Sequence, residues 1–188
     1  WDNGTQTVEI TSEQEDESWK ENKGTLDLDT LTYTGNGVEI DGKNIKITEG
    51  GDFTVSGTLD GGNITVDTES RVKIRLDGAS ITTSGSPCIY VENADKAYIT
   101  LTDKTKNYLT ANSSENGAVY SKDNLEIKGN GTLYVNSDTG HGIKASDNLT
   151  IEDGTVDITA KNDAIHVNDT FKITGGTLKT VSEGDGID

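Results

Sequence analysis

A short element, made of a small or polar residue followed by Val or Ile, recurs along most of the chain. Successive copies lie 26, 25, 30, 24, 22 and 22 residues apart. Similarity at a period of this length is typical of a solenoid, in which each repeat buries its apolar face against its neighbours. The aliphatic residue of each copy is Val38, Ile64, Ile89, Val119, Ile143, Ile165 and Ile187.

Each repeat also carries two further short segments in which apolar and polar residues alternate, the pattern of strands with one buried face. Gly, Asn and Asp cluster in the breaks between segments, as turns require, and no helical period intervenes. The second segments contain Ile45/Ile47, Val72/Ile74, Ala97/Ile99, Leu125/Ile127, Leu149/Ile151 and Phe171/Ile173. The third segments contain Phe53/Val55, Ile81, Leu109, Leu133/Val135, Val156/Ile158 and Leu178.

This pattern predicts an all-β fold, a parallel β-helix with three short strands and about 22–30 residues in each coil. Hairpins of a β-sandwich would recur about every 8–12 residues. The nine-residue repeat of calcium-binding β-rolls is absent from the sequence. Because Ile187 opens a coil that position 188 does not complete, we expect the solenoid to be truncated at its carboxyl end.

Two regions are predicted along the chain. Residues 25–188 form the β-helix domain, and residues 1–24 form an amino-terminal cap or appendage. The helix-like part of that appendage has Ser12 and Glu15 at capping-box spacing, and Trp19 gives it an apolar side. A cap would cover the unpaired strand edges of an open coil.

Charge and composition restrict the partners of the chain. There are 33 Asp and Glu against 16 Lys and Arg, so the formal net charge is −17. We expect no nucleic acid partner, because phosphate binding needs basic patches. No run approaches the roughly 18 apolar residues of a membrane span, so none is predicted. The first residue, Trp1, indicates a mature or trimmed chain, and the single Cys88 excludes an internal disulfide.

The order of the motifs resembles a known family. Successive coils read NGAVYSKDNLEIKGNGTLYV, HGIKASDNLTIEDGTVDIT, DAIHVNDTFKITGGTLKT and GDGID. Over residues 25–188 this series resembles the carbohydrate-binding β-helix family of bacterial, clostridial-type cell surfaces. The resemblance implies a right-handed parallel β-helix similar to polysaccharide lyases, several bound calcium ions (Ca²⁺), and binding of plant cell-wall polysaccharides such as cellulose and polygalacturonate (pectin). It also implies a secreted or cell-surface location.

Strand alternation identifies candidate carbohydrate-binding residues. If the repeated aliphatic residue points inward, the residue after it points outward. That position holds Tyr90, Tyr120, Lys144 and His166. Tyrosine faces suit packing against sugar rings, and the two basic residues suit a uronate carboxylate. The alternative is an ordinary aromatic pair beside solvated charges.

The residue before the aliphatic residue is small in each later coil. Parity also points this column outward, which predicts a shallow strip where a polymer lies against the backbone. The alternative is that small residues only ease the turn into the strand. The column consists of Cys88, Ala118, Gly142, Ala164 and Gly186.

Acidic residues near the turns are candidate calcium ligands. His141, Asp163 and Asp185 share one column that parity points inward at the mouth of a turn. Two partly desolvated carboxylates at strand spacing need a shared proton or cation, and Ca²⁺ takes about six to eight oxygen ligands. Hydrogen bonds from Asp to its own turn are the alternative. The predicted calcium ligands are Asp163, Asp185, Asp188, Asp147 and Asp169.

A zinc site built from the two histidines is not expected. His141 and His166 fall in columns of opposite strand parity, and no Cys lies at ligand spacing.

The sequence favours a polysaccharide-binding protein that is not an enzyme, and no catalytic residue is assigned. One alternative is a calcium-dependent enzyme similar to pectate lyases, in which Lys144 would be the base that removes a proton beside the uronate carboxylate. Another is a structural or adhesin solenoid that self-associates end to end into filaments through unpaired strand edges.

Overall fold

The computed structural model describes residues 17–188, which form nineteen strands and one short 3-10 helix, Ser18–Glu21. Ser12 and Glu15, the predicted capping-box pair, lie outside the described residues. The strands in chain order are β1 (Lys23–Asp27), β2 (Thr32–Tyr33), β3 (Val38–Asp41), β4 (Asn44–Ile47), β5 (Gly51–Asp60), β6 (Asn63–Asp67), β7 (Val72–Ser84), β8 (Ile89–Asn93), β9 (Ala97–Leu101), β10 (Lys106–Asn112), β11 (Val119–Ser121), β12 (Leu125–Gly129), β13 (Thr132–Ser137), β14 (Ile143–Ala145), β15 (Leu149–Ile151), β16 (Thr155–Ala160), β17 (Ile165–Val167), β18 (Phe171–Ile173) and β19 (Thr177–Ser182).

Parallel pairing between successive coils organises these strands into a β-solenoid of about six turns. Its first face is the seven-stranded sheet, in the order β17-β14-β11-β8-β6-β4-β3. The other strands form one twelve-stranded sheet, which bends into two further faces. The second face runs from β18 through β15, β12 and β9 to β7, and the third runs from β7 through β10, β13 and β16 to β19. The predicted all-β parallel β-helix is confirmed.

The core is built from columns of aliphatic side chains that the parallel register places on top of one another. On the first face, Ile64 pairs with Ile89, and Val119 with Ile143. All four are fully buried. Each such side chain contributes roughly 1.5–3 kcal/mol relative to exposure. The spacing between equivalent residues in adjacent coils is about 4.8 Å, the ordinary separation of paired strands.

The first repeat departs from the predicted assignment of segments. Val38 pairs with Ile47 in an antiparallel hairpin of β3 and β4, and Ile45 takes the place beside Ile64. The reason is the two-residue turn between Asp41 and Asn44, where Gly42 adopts a φ of +58° and reverses the chain. Strand alternation is the same in a hairpin and a coil, so the repeat alone did not distinguish them.

Because β3 and β4 both belong to the first face, the next segment also lies one face earlier than predicted. Phe53 pairs with Ile74, so it belongs to the second face, whereas it was predicted in the third segment. Leu59 pairs with Ile81 and begins the third face. Strands β5 and β7 each continue from the second face to the third, and the β5–β7 register shifts between Val55 and Gly57. In these early coils the strand of the second face and the strand of the third face are therefore joined into one continuous strand.

The column of small residues is buried, so the predicted outward strip is wrong. Cys88, Ala118 and Ala164 have no exposed surface. A Cβ added to Gly142 would lie 2.2 Å from Cγ2 of Ile158 on the third face. These residues are small because the chain turns a tight corner into the first face, where a larger side chain would collide with the core. Burial also raises the pKa of the Cys88 thiol to about 12.

The segment before β1 lies against the side of the solenoid. The Trp19 ring stacks on Tyr98 of β9, with centroids 5.7 Å apart and planes within 5°. Strand β1 begins at Lys23 and pairs in parallel with β5, and its other edge pairs with β2. The described part of the appendage therefore contacts the second face. No helix within residues 17–188 is long and apolar enough to cross a membrane.

The side chain of Asn107 connects the backbone of neighbouring coils through hydrogen bonds. Its side chain is fully buried, and its Oδ1 accepts hydrogen bonds from the backbone N–H groups of Gly78 (2.9 Å) and Ala79 (3.0 Å). Its amide nitrogen donates to the Thr132 carbonyl at 3.2 Å. We expect Asn107→Ala to lower the free energy of unfolding by about 1–3 kcal/mol, because buried polar groups lose their partners.

Urea denaturation measures this loss. Asn130→Ala is the matched control, because Asn130 is an exposed turn residue. It should change the free energy of unfolding by less than about 0.5 kcal/mol. Equal effects of the two substitutions would contradict the assigned role of Asn107.

Candidate functional site

The register of the first face aligns the predicted carbohydrate-binding residues in one outward row. Tyr90 pairs with Tyr120, Tyr120 with Lys144, and Lys144 with His166. Thr65 precedes Tyr90 in the same row. All five side chains are half-buried, because they lie on the outer surface of the sheet between neighbouring rows. We call these five residues the aromatic–basic row.

The two tyrosines of the row stack on each other. Their ring centroids lie 5.3 Å apart with planes inclined by 14°. The Lys144 ammonium lies 5.4 Å from the Tyr120 centroid, and the Lys122 ammonium lies 5.5 Å from that of Tyr90. A hydrogen bond with Tyr90 raises the pKa of Lys122. The faces between the two rings are therefore closed to a sugar, and the ring edges, hydroxyls and ammonium groups are what the row presents.

A groove of about 280 Å³ adjoins the amino-terminal end of the row. Its lining includes Lys46, Thr65 and Glu92. A larger cleft of about 640 Å³ lies beside Trp19, away from the first face, and its lining includes the acidic residues Glu49, Glu69 and Asp95. Three carboxylates and one cation line each of them, with Glu39, Asp41 and Glu92 beside Lys46 in the groove and Arg71 as the cation of the cleft. Charge therefore does not distinguish the two, and the groove is the one that adjoins the row.

Beyond Lys144 the structure brings together three side chains that the sequence did not predict as a group. The Nδ1 of His141 lies 3.1 Å from Oδ2 of Asp163, and the Nδ1 of His166 lies 3.6 Å from the same oxygen. The two imidazole centroids are 4.6 Å apart. We call His141, Asp163 and His166 the His–Asp cluster.

The expectation that the two histidines lie on opposite sides is therefore wrong. His141 precedes β14 in the corner between β13 and β14, where the chain is not extended. Strand parity holds only within a strand, so it does not give the direction of a corner side chain. The backbone carbonyl of His141 accepts a hydrogen bond from the N–H of Ala118, which fixes the corner.

Burial and neighbouring charge set the protonation of the cluster. Burial, with a further contribution from the nearby His166, lowers the pKa of His141 below its usual range. Asp163 is about nine-tenths buried, and its Oδ1 accepts a hydrogen bond from the backbone N–H of Asp185 at 2.8 Å. Asp188 places Oδ2 3.0 Å from Nδ1 of His166. His141 is therefore neutral near pH 7 and has one ring nitrogen with an available lone pair.

The predicted calcium ligands divide into two groups. Asp163 shares its position with two imidazoles, a donor set that fits Ca²⁺ poorly because Ca²⁺ prefers oxygen ligands. Asp185 is exposed and reaches Asp163 through its backbone N–H. Asp147 is half-buried and Asp169 is exposed. Calcium binding by any of the five residues, Asp163, Asp185, Asp188, Asp147 and Asp169, stays a prediction.

The neighbouring turn shows a further role of aspartate, a hydrogen bond to the backbone of the preceding coil. Asp123, in the same stack as Asp147 and Asp169, accepts a hydrogen bond from the backbone N–H of Ala94 through Oδ2 at 2.9 Å. Within residues 17–188, the His–Asp cluster is the one group of three His, Cys, Asp or Glu side chains whose ligand atoms lie close together.

A second tyrosine pair on the third face was missed in the sequence. Tyr108 and Tyr134 stack with centroids 5.0 Å apart and planes inclined by 11°. Their row continues to Asp157 and Lys179. The sequence pattern could have predicted this pair, because Tyr108 directly precedes Leu109 and Tyr134 directly precedes Val135, the repeated aliphatic residues of the third segment. This pair matches Tyr90 and Tyr120 in chemistry but has an acidic neighbour.

The fold and these rows define the class of the chain, a parallel β-solenoid with stacked tyrosines and cations on a flat outer sheet. Residues 41–188 match the sequence model of a family described as carbohydrate-binding domain-containing proteins. The chain belongs to this family, because the match spans most of its length. The resemblance identified from the sequence is thereby confirmed.

One relative and one solved structure show how far this similarity extends. A carbohydrate-binding domain-containing protein of Acetivibrio thermocellus is 36% identical over 136 residues, 66% of this chain and 48% of that protein. The chain thus spans about half the length of this relative. A gadolinium derivative of the polysaccharide lyase-like protein from C. thermocellum is similar at a TM-score of 0.65 and 28% identity, covering 88% of this chain and 93% of that one.

Proposed function

We propose that the chain binds a plant cell-wall polysaccharide along the aromatic–basic row of the first face. The observation that carries the proposal is the alignment of Tyr90, Tyr120, Lys144 and His166 in consecutive coils. The row offers aromatic edges, hydroxyls and cations at regular spacing on a flat surface, which suits a long polymer. Membership of a carbohydrate-binding family supports a polysaccharide partner in general.

The charges of the row favour an acidic polymer, polygalacturonate, with neutral cellulose as the weaker ligand. The chain as a whole is strongly acidic, with a formal net charge of −17. Against that background Lys122 and Lys144 place two ammonium groups beside the tyrosines, of which Lys122 also lies 3.8 Å from a carboxylate oxygen of Glu92. Local cations offset the repulsion between an acidic protein and an acidic glycan, so contacts to uronate carboxylates concentrate at the row.

We further propose that the protein is secreted or displayed at the cell surface, where such a polymer is encountered. Calcium at Asp147 and Asp169 is part of this proposal as a structural ion. End-to-end self-association stays a prediction. The exposed apolar side chains that would serve it are Ile173, Val181 and Ile187, on the last coils of the described residues.

The tyrosine pair of the row is tested by removal of both rings. We expect Tyr90→Ala/Tyr120→Ala to weaken polygalacturonate binding about 10–100-fold, because each lost aromatic contact costs about 0.5–1.5 kcal/mol. Affinity electrophoresis through gels that contain polygalacturonate measures the change. EDTA in the gel keeps metal ions from contributing.

The third face provides the matched control. Tyr108→Ala/Tyr134→Ala removes an equally stacked pair from a different surface. It should leave migration close to that of the wild type. If this control loses as much affinity as the first variant, the polymer does not bind along the first face alone, and the proposal is wrong.

The charge of Lys144 should act on acidic polymers only. We expect Lys144→Gln to weaken binding of polygalacturonate and to reduce its salt dependence, while binding to cellulose stays unchanged, because neutral glycans do not need the ammonium group. Lys179→Gln, an exposed lysine of the third face, is the control of equal charge change. An equal loss in both variants would indicate general electrostatic attraction and would contradict a site at Lys144.

Binding without cleavage is the activity we propose, and the lyase alternative has a direct test. The Lys144 ammonium packs over Tyr120 and lies 3.5 Å from Oδ1 of Asn116, contacts that suit a fixed cation for a carboxylate. We expect no unsaturated product when the chain is incubated with polygalacturonate and Ca²⁺, as followed by ultraviolet absorbance. Product formation that disappears in Lys144→Gln would establish a lyase with Lys144 as its base.

A further inference from the structure

The His–Asp cluster has the features of a metal site. Its members come from two consecutive coils: His141 stands before β14, and Asp163 and His166 flank the start of β17. His141 and Asp163 are each more than nine-tenths buried. The fold has therefore buried one imidazole and a carboxylate and brought the Nδ1 of a second, partly exposed imidazole against them, which costs free energy unless something satisfies these groups.

Ordinary hydrogen bonding does not satisfy these groups. The Nδ1 atoms of His141 and His166 are both buried and make no hydrogen bond of acceptable geometry. The Nδ1 atoms lie 3.1 Å (His141) and 3.6 Å (His166) from Oδ2 of Asp163, and that of His166 also lies 3.0 Å from Oδ2 of Asp188, but none of these contacts has the geometry of a hydrogen bond. Buried polar atoms without a hydrogen-bond partner are rare in proteins, and coordination of an ion is one way in which such atoms are satisfied.

The separations match those between ligands of one tetrahedral metal ion. Zinc bonds to imidazole nitrogen and carboxylate oxygen are about 2.0–2.2 Å long, which places neighbouring ligand atoms about 3.3–3.6 Å apart. The two contacts to Oδ2 of Asp163, 3.1 and 3.6 Å, fall close to this range. All three ligand atoms lie within 4.8 Å of one another. A small shift of side chains would therefore place an ion among them.

The outer contacts also suit a bound metal. Asp163 keeps its second oxygen in a hydrogen bond with the backbone of Asp185, which fixes the direction of Oδ2. The Nε2 of His141 lies 3.4 Å from the side-chain amide of Asn162. If Nδ1 binds the metal, Nε2 carries the proton, and the amide oxygen of Asn162 accepts it after rotation of the amide.

We propose that His141, Asp163 and His166 bind one divalent zinc-type metal ion, with water completing the coordination. Two imidazoles and one carboxylate select zinc and similar transition metals over calcium and magnesium, which prefer oxygen ligands. The ion joins successive coils of the solenoid, so it stabilises their stacking. The site shares His166 with the aromatic–basic row, whereas Tyr90, Tyr120 and Lys144 take no part in it.

Zinc chloride titrated into the full chain, without a histidine tag, tests the site. Isothermal titration calorimetry should show one Zn²⁺ per chain, and thermal unfolding should shift to a higher temperature as zinc is added. The chain simplifies the experiment, because it has only two histidines and one cysteine, and that cysteine is buried. Ca²⁺ at the same concentration should give no comparable shift through this site.

Substitutions distinguish the loss of a metal ligand from the loss of a nearby charge. We expect His166→Gln to weaken zinc binding by about 100-fold or more, since loss of a metal ligand should exceed the 10–100-fold effect of an outer contact. His166 is about one-quarter exposed, so this variant should fold. Asp163→Asn keeps the acceptor for the Asp185 N–H, and it should also lose at least tenfold.

Asp185→Asn is the matched control, because it removes a neighbouring acidic charge that is outside the cluster. It should bind zinc within about threefold of the wild type. The proposal is overturned if His166→Gln binds zinc as tightly as the wild type, if Asp185→Asn loses as much affinity as Asp163→Asn, or if no zinc binds at all. Glycan binding is tested separately, because the polygalacturonate assay compares variants of Tyr90 and Tyr120, which are not zinc ligands, in EDTA.

Discussion

In-register parallel pairing between coils is the constraint on which the rest of this structure depends. Once Ile64 pairs with Ile89 and Val119 with Ile143, every equivalent position of successive coils stacks at the spacing of paired strands. Aliphatic residues then form continuous buried columns, and a slip by one residue would move each column to the solvent face. The same pairing that builds the core therefore also arranges the outer surface into rows.

The outer rows turn a repeat into a binding surface. A tyrosine that follows the core residue in one coil meets the tyrosine that follows it in the next, as Tyr90 and Tyr120 do. Stacking closes the inner ring faces, so in the binding mode we propose, recognition depends on ring edges, hydroxyls and the lysines beside them. The third face repeats the tyrosine pair but continues to Asp157, and that difference in charge is why we propose the first face for an acidic polymer.

The rule that side chains alternate in direction does not apply at the corners between strands. The small residues Cys88, Ala118 and Ala164 are fully buried at the corner into the first face, and at the same corner of another coil His141 turns toward His166. Both predictions were wrong for one reason, which is that alternation gives side-chain direction only along an extended strand. The buried pair His141 and Asp163 also lies at these corners, where the sequence pattern is least informative.

By itself, the sequence determined the solenoid, its three-strand coils and the row of Tyr90, Tyr120, Lys144 and His166, because these depend only on period and alternation. Tertiary structure decided three other features. The β3–β4 hairpin replaced a coil through the turn at Gly42, since local alternation is identical in both. Burial decided the column of small residues. Contact across coils brought Asp163 between two histidines 25 positions apart, because direction at a corner depends on packing that no single repeat contains.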